Sequence, residues 1–155
     1  MAIGLNDQRD VQVARVWQAK QVLQKELPRG RVEQIGTADE LYLGPADRFV
    51  GQLVGDPPMN LVPGTLSRNA QGAWLELPFG ALDATQLATP TQAFEPGAEF
   101  LVGLRPHDLA LGAGGAGRFA FRAEIRITEP QGDVTILDLD ASGTQLRVVV
   151  PEVRS

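Results

Sequence analysis

His107 and Asp108 are adjacent in the sequence, and His107 is the only histidine of the chain. A histidine beside a carboxylate is a combination found in catalytic and metal-binding sites. Either chemistry needs further ligands or an activated nucleophile, and the sequence supplies none in a recognisable spacing. We therefore expect His107 to have a structural role, and we expect no catalytic residue and no metal site.

Asp138 and Asp140 form a second candidate pair, because residues two apart on a strand point to the same face. Paired carboxylates can bind a metal ion or exchange protons. A solvated sheet edge beside the turn at 141–143 is the simpler interpretation, and we adopt it. Arg29 and Arg31 could hold an anion between them, but they also suit an exposed turn after a helix.

The composition of the 155-residue chain restricts its functional class. A net charge of -5 argues against a general affinity for nucleic acid. The absence of cysteine excludes thiol catalysis, disulfides and cysteine metal sites. The apolar runs are too short to cross a bilayer, and the N-terminus lacks the pattern of a secretory signal. A cytoplasmic location is therefore expected.

The N-terminal part of the sequence is predicted to be helical. Apolar residues recur near helical spacing over residues 7–27, which predicts an amphipathic helix. Thr37 and Glu40 have the spacing of a capping box, so a second helix should begin there. Residues 46–54 predict a third, short helix. Its inward-facing residues are predicted to be Phe49, Val50 and Leu53.

The remainder of the chain has a β-rich pattern, with short apolar runs separated by glycine, proline and asparagine. Alternation is clearest from Phe119 to Ile127, where every second residue is apolar. This alternation predicts one buried and one solvated face, with Ile125 and Ile127 on the buried side. The predicted strands are 61–67, 73–77, 99–104, 118–129, 134–140 and 145–150.

Three separated motifs, in matching order, resemble one protein family. They are the junction from Arg31 to Leu61, the segment Gly103-Leu-Arg-Pro-His-Asp-Leu109 and the segment Glu129-Pro-Gln-Gly-Asp-Val-Thr135. Several ordered motifs together are more specific than any short pattern alone. Over roughly residues 30–150 the chain resembles the C-terminal regulatory domain of the ATP-binding cassette ATPases that energise import of sugars, glycerol phosphate and polyamines.

Together, the predicted helices and the resemblance imply a mainly β fold with N-terminal helices (α+β). Residues 59–155 would form an OB-like antiparallel β-barrel of the transport-associated type, and residues 1–58 a helical segment with the remnant of the junction. Family members usually continue past the position of Pro151 with further strands. We therefore expect an incomplete barrel whose open edge is covered by a second subunit or by the N-terminal helix.

The sequence also departs from the family's catalytic pattern. It contains no Gly-x-x-x-x-Gly-Lys-Ser/Thr phosphate loop, no acidic magnesium-binding strand and no signature segment. Asn6 stands where the family's catalytic histidine would be, in Leu5-Asn-Asp-Gln8. We therefore expect no ATP hydrolysis by this chain alone and no cofactor.

These observations predict a non-catalytic regulatory or dimerisation domain that acts through protein contacts. The expected partners are a second copy of the chain and importer ATPase or permease subunits, at the periphery of the inner membrane. Two alternatives stay open: a protein that binds a small oxyanion or sugar, and a truncated, decayed ATPase fragment without an independent role. The candidate interface or ligand contacts are Asp56, Met59, Asn60, Arg105, His107, Asp108, Glu129, Gly132 and Thr135.

Overall fold

The computed structural model describes residues 2–5, 14–18, 30, 32–87, 93–112 and 119–151. Most of them lie in antiparallel strands. The strands are β1 Ala2–Leu5, β2 Ala14–Gln18, β3 Asn60–Asn69, β4 Gly72–Leu77, β5 Gly80–Asp83, β6 Glu99–Leu104, β7 Leu109–Leu111, β8 Ala120–Arg122, β9 Glu124–Pro130, β10 Val134–Ala141 and β11 Thr144–Pro151. The helices are α1 Ala38–Leu43 and α2 Arg48–Leu53, with 3₁₀ turns at Ala84–Gln86 and Pro106–Asp108.

The strands form three sheets, in the orders β2-β6-β3-β4-β5, β7-β1-β8 and β11-β10-β9. All of the pairings are antiparallel. A mainly β fold of antiparallel sheets with few helices is therefore confirmed. Closure of the strands into an OB-type barrel stays a prediction, as does the division of the chain at residue 59.

The β3–β4 hairpin shows how the local sequence produces these strands. Buried and exposed residues alternate along β3, so that one face is available for the core. At its end, the Asn69 side chain accepts hydrogen bonds from the backbone N–H groups of Gln71 and Gly72, at 2.9 and 3.1 Å. Asparagine suits such a turn because its short side chain reaches the backbone two residues on. The predicted turn at 69–72 is confirmed.

One continuous apolar core connects the sheets. Val62 and Val102 are fully buried in the five-stranded sheet, and Val148 is fully buried in β11. Gly64 belongs to this core because a Cβ there would lie 2.9 Å from Leu77 Cδ2. A larger residue at that position in the middle of β3 would therefore displace the Leu77 side chain.

The helix predicted over residues 7–27 is wrong for Ala14–Gln18. These residues form β2 and pair antiparallel with β6, from Ala14 opposite Leu104 to Gln18 opposite Phe100. Val16 and Trp17 are good strand formers. The spacing of the apolar residues in this short segment fits both a helix and a strand, and pairing with the edge of β6 favours the strand. The rest of 7–27 lies outside the described residues. A helical cap on the sheet edge is therefore not supported at Ala14–Gln18.

The alternation predicted from Phe119 to Ile127 is wrong at its end. Phe121 is buried as expected, but Ile125 and Ile127 are 42% and 52% exposed. Ile125 lies opposite Leu139 and Ile127 lies opposite Asp138, with a register shift between these two partners. This β-bulge interrupts the two-residue alternation, so Ile125 and Ile127 do not continue the buried pattern of Phe121.

Candidate functional site

Arg105 lies directly after β6 and is only 4% exposed. Its guanidinium donates hydrogen bonds to three backbone carbonyls, all from the helical segment that precedes β3. Nη1 donates to the Gly51 oxygen at 3.0 Å and to the Val54 oxygen, and Nη2 donates to the Tyr42 oxygen at 2.7 Å. One side chain thus joins α1, α2 and the end of β6.

The three carbonyls that accept these hydrogen bonds lie at the C-terminal ends of the two helices. The last turn of a helix has carbonyls without an intrahelical partner, and it carries partial negative charge. Tyr42 lies in the last turn of α1, whereas Gly51 and Val54 lie in the last turn and at the C-cap of α2. The Arg105 cation therefore caps the C-terminal ends of both helices.

The starts of the helices are fixed by their own sequence. Thr37 and Glu40 form the predicted capping box, in which the Thr37 N–H donates to the Glu40 carboxylate at 2.7 Å. Asp47 caps α2 by accepting from the Val50 N–H at 3.0 Å. With side-chain caps at their starts and Arg105 at their ends, the carbonyl ends of both helices are directed toward β6.

Gly55 makes room for this arrangement. Its φ of +119° lies in the region that favours glycine, and a Cβ there would lie 3.0 Å from Arg105 Nη1. The next peptide bond but one, between Asp56 and Pro57, is cis. The predicted contact residue Asp56 is exposed at this turn, next to the carbonyls that Arg105 contacts.

Tyr42 adds an aromatic wall to the site. Its ring centre lies 4.1 Å from the guanidinium carbon of Arg105, within the range of a cation–π contact. Burial raises the pKa of the Tyr42 hydroxyl, the charge of Asp108 raises it further, and the charge of Arg105 lowers it. Tyr42 was not among the predicted site residues; its position as the single tyrosine of the junction was the available signal.

Asn60 is the second polar residue of the core, 9% exposed. Its Nδ2 donates to the carbonyls of Leu104 and Arg147 at 3.1 and 2.8 Å, and its Oδ1 accepts from the Arg147 N–H at 2.7 Å. These bonds connect β3, β6 and β11. Since Leu104 precedes Arg105, Asn60 and Arg105 act on the same end of β6.

The other residues predicted in this region have simpler surroundings. Met59, a predicted contact residue, is instead buried at 3% exposure and so fills space in the core. His107 is exposed in the 3₁₀ turn, and Asp108 is half-buried, with its N–H donating to the Arg105 carbonyl at 3.1 Å. Across the described ranges, no three His, Cys, Asp or Glu side chains are placed to hold a metal ion.

The remaining three predicted residues lie in the β9–β10 hairpin. Gly132 forms its turn with a φ of +81°, and the Gln131 N–H donates to the Val134 carbonyl at 2.8 Å. Glu129 pairs with Ile136, and Thr135 pairs with both Pro130 and Val150. The structure thus places the predicted residues on two parts of the fold rather than in one site.

Asp138 and Asp140 each have an arginine partner. Asp138 Oδ1 accepts from Arg147 Nε at 2.8 Å, and Asp140 Oδ2 accepts from Arg126 Nη2 at 3.3 Å. A hydrogen bond from the Gly143 N–H and then the bond from Arg126 lower the pKa of Asp140. The ion pair between Asp138 and Arg147 could have been predicted from the hairpin, because its register places these two residues opposite each other.

The helical segment exposes several large apolar side chains, which we call the junction face. Ile35 and Val32 are 88% and 71% exposed, and Leu53 is 70% exposed. The prediction that Phe49 and Leu53 face inward is therefore wrong, because α2 has only Val50 and Gly51 buried. The junction face consists of Val32, Ile35, Leu43, Phe49 and Leu53.

Comparison with known proteins agrees with the three motifs. The chain is 36% identical over 114 residues to the alpha-glucoside transport ATP-binding protein of Rhizobium meliloti, covering 74% of this chain and 30% of that protein. The chain is a relative of importer ATP-binding proteins. The sn-glycerol-3-phosphate import ATP-binding protein of Rhizobium etli is 33% identical over 77% of this chain and 28% of its own length.

The maltose/maltodextrin import ATP-binding protein of Escherichia coli K12 is 30% identical over 129 residues, which are 83% of this chain and 32% of that protein. No protein-family model matches the chain. The chain thus spans about a third or less of the length of these relatives. Within the segments that the structure describes, no helix is both long and apolar enough to cross a membrane.

Proposed function

We propose that this chain is a non-catalytic regulatory domain of a solute importer, with an OB-type barrel, that acts through protein contacts. The relation to importer ATP-binding proteins supports a role in solute import, with 36% identity to the alpha-glucoside transport protein. The observation that carries the proposal is the Arg105 anchor, in which a buried guanidinium joins both helices to the five-stranded sheet. We propose that a contact made on the helices acts on the sheet through this anchor.

The junction face is the surface we assign to the importer's ATP-binding domain. Ile35 and Leu53 are among five large apolar side chains exposed within residues 32–53. Exposed apolar side chains that form one continuous surface are typical of protein interfaces, and we propose that these five do so. The junction face belongs to the segment that resembles the passage from ATPase to regulatory domain. We propose that the ATP-binding domain packs there, at the cytoplasmic periphery of the inner membrane.

Regulation would follow from a shift between two arrangements of the assembly. A partner or solute that prefers one arrangement shifts its population by the difference in its affinities for the two. We propose a homodimer of these domains as the element with two arrangements. Arg105 would transmit the change, since it contacts both the helical segment and the end of β6.

Affinity capture from extract of the source cells tests the junction face. We expect the tagged chain to recover importer ATP-binding or permease subunits, identified by mass spectrometry. The double variant Ile35→Ser and Leu53→Ser should lose them, because it removes two of the most exposed apolar groups. The matched control is Leu111→Ser with Ile125→Ser, exposed apolar residues outside the junction face.

Equal capture by both double variants would reject the junction face as the contact. Recovery of no importer subunit by the unchanged chain would reject the proposed function itself. An ATPase assay adds an independent arm, since the chain has no phosphate loop to hold the nucleotide. ATP turnover by the purified chain would contradict a non-catalytic role.

A further inference from the structure

A groove of about 220 Å³ lies on the sheet formed by β9, β10 and β11, near the start of β3. Asn60, Arg126, Ile127, Asp138, Gln145 and Arg147 are among the residues that line it. The β-bulge creates part of this lining, because it places Ile127 on the same face as Asp138. The irregularity that broke the predicted alternation thus contributes Ile127 to the groove.

Both arginines of the groove already have carboxylate partners. Arg147 is paired with Asp138 at 2.8 Å, and Arg126 is paired with Asp140 at 3.3 Å and with Glu124 at 3.1 Å. An oxyanion would have to compete with these carboxylates for each guanidinium. The groove therefore disfavours small anions and does not require a charged ligand.

The groove nevertheless offers many hydrogen-bonding groups. A guanidinium has five N–H groups, and the ion pairs use two of them on each arginine. Gln145 is exposed and has an amide that both donates and accepts. Ile127, 52% exposed, adds an apolar surface beside them. Donors, acceptors and one apolar side chain together match a molecule with several hydroxyl groups and a C–H face.

We propose that this groove binds an uncharged polyhydroxylated molecule the size of a single sugar ring. Its volume lies below the roughly 300 to 1,000 Å³ typical of pockets for drug-sized ligands, so an oligosaccharide or nucleotide would not be enclosed. Asn60 connects the groove with the Arg105 anchor, since it bonds to the Arg147 backbone and to the carbonyl of Leu104, the residue before Arg105. This effector role rests on the proposed regulatory function; binding itself does not.

Amide NMR spectra of the full chain test the proposal, with D-glucose, D-mannitol and myo-inositol as uncharged probes and inorganic phosphate as the anionic probe. At least one uncharged probe should shift the amides of Ile127, Asp138 and Gln145 saturably, and phosphate should not. Gln145→Ala should weaken that binding about three- to tenfold, the effect of one lost hydrogen bond. Gln71→Ala, an exposed residue of the β3–β4 turn, is the matched control and should leave the affinity unchanged.

Absence of saturable shifts with all three uncharged probes would overturn the proposal. So would saturable binding of phosphate at the same amides, or equal affinity of the chain with and without Gln145→Ala. The capture experiment separates the two proposals, because Gln145→Ala leaves the junction face intact. Loss of sugar binding with retained capture of importer subunits would reject the groove alone, and the reverse result would reject the proposed function alone.

Discussion

Arg105 holds Tyr42 by both its ring and its backbone: the guanidinium carbon lies 4.1 Å from the ring centre, and Nη2 donates to the Tyr42 carbonyl at 2.7 Å. The two helices that Arg105 caps are six residues each. Helices this short are unstable in isolation, because the conformational entropy lost in nucleation exceeds the free energy gained from a few backbone hydrogen bonds. Their order therefore depends on contacts with the rest of the chain, and Arg105 provides three of those contacts.

Substitution of Arg105 should destabilise the fold strongly. Arg105→Met leaves three carbonyls without this donor, and we expect the free energy of unfolding to fall by about 3 kcal/mol. Arg105→Lys keeps the charge but loses the planar guanidinium that reaches several carbonyls. We expect this variant to lose about 1 to 2 kcal/mol of unfolding free energy. Urea denaturation measures both. Arg126→Met, on the surface, should change stability by less than about 1 kcal/mol, and a similar effect at both sites would contradict the anchor.

Tyr42 should titrate above its ordinary pKa of 10.0, chiefly because of burial and then because of Asp108. It is the only tyrosine, so near-ultraviolet absorbance of the tyrosinate reports it directly. Since the folded pKa is raised, its contribution to stability is complete below pH 10 and is lost as the pH rises through the folded pKa. Asp108→Asn should lower the pKa. Asp133→Asn, in the β9–β10 turn, should not, and equal titration curves for both variants would refute the assigned cause.

Asn60→Ala should cost about 2 to 3 kcal/mol of unfolding free energy, because it leaves a buried carbonyl of Leu104 and partly buried backbone groups of Arg147 without their partner. Asn69→Ala provides the matched comparison. Asn69 also bonds to backbone N–H groups, but it is exposed at a turn, where water replaces the lost bonds. We expect a loss of about 1 kcal/mol or less there. Equal losses in thermal or urea unfolding would show that burial of Asn60 is not the cause.

Asp140 should make stability depend on acid pH. Its pKa lies below the ordinary 3.8, first because of the Gly143 N–H and then because of Arg126. A lowered folded pKa contributes stability above pH 3.8, and that contribution is lost as the pH falls through the folded pKa. Asp140→Asn should flatten the decline of stability below that pH. An unaltered profile for Asp140→Asn would exclude this residue as its source.

The sequence predicted the strands from residue 60 onward better than the site. The turn at Asn69 and the capping box at Thr37 were readable because the interacting groups lie within three residues. Arg105 was recognised within a motif, but its acceptors at Tyr42 and Gly51 lie more than fifty residues away, and no local pattern names them. Strand β2 was missed for the same reason, since its partner is the distant β6.

The position of β1 in its sheet affects the order in which the chain folds. Its partners are β7 and β8, so Leu5 meets Leu109 and Gly4 meets Ala120 only after most of the chain between them has been arranged. Pairings between segments this far apart slow folding, because the entropy of closing a long loop is lost before the hydrogen bonds between the strands can form. Completion of this sheet is therefore expected to be a late kinetic step, whereas the hairpins β3–β4 and β10–β11 can form early.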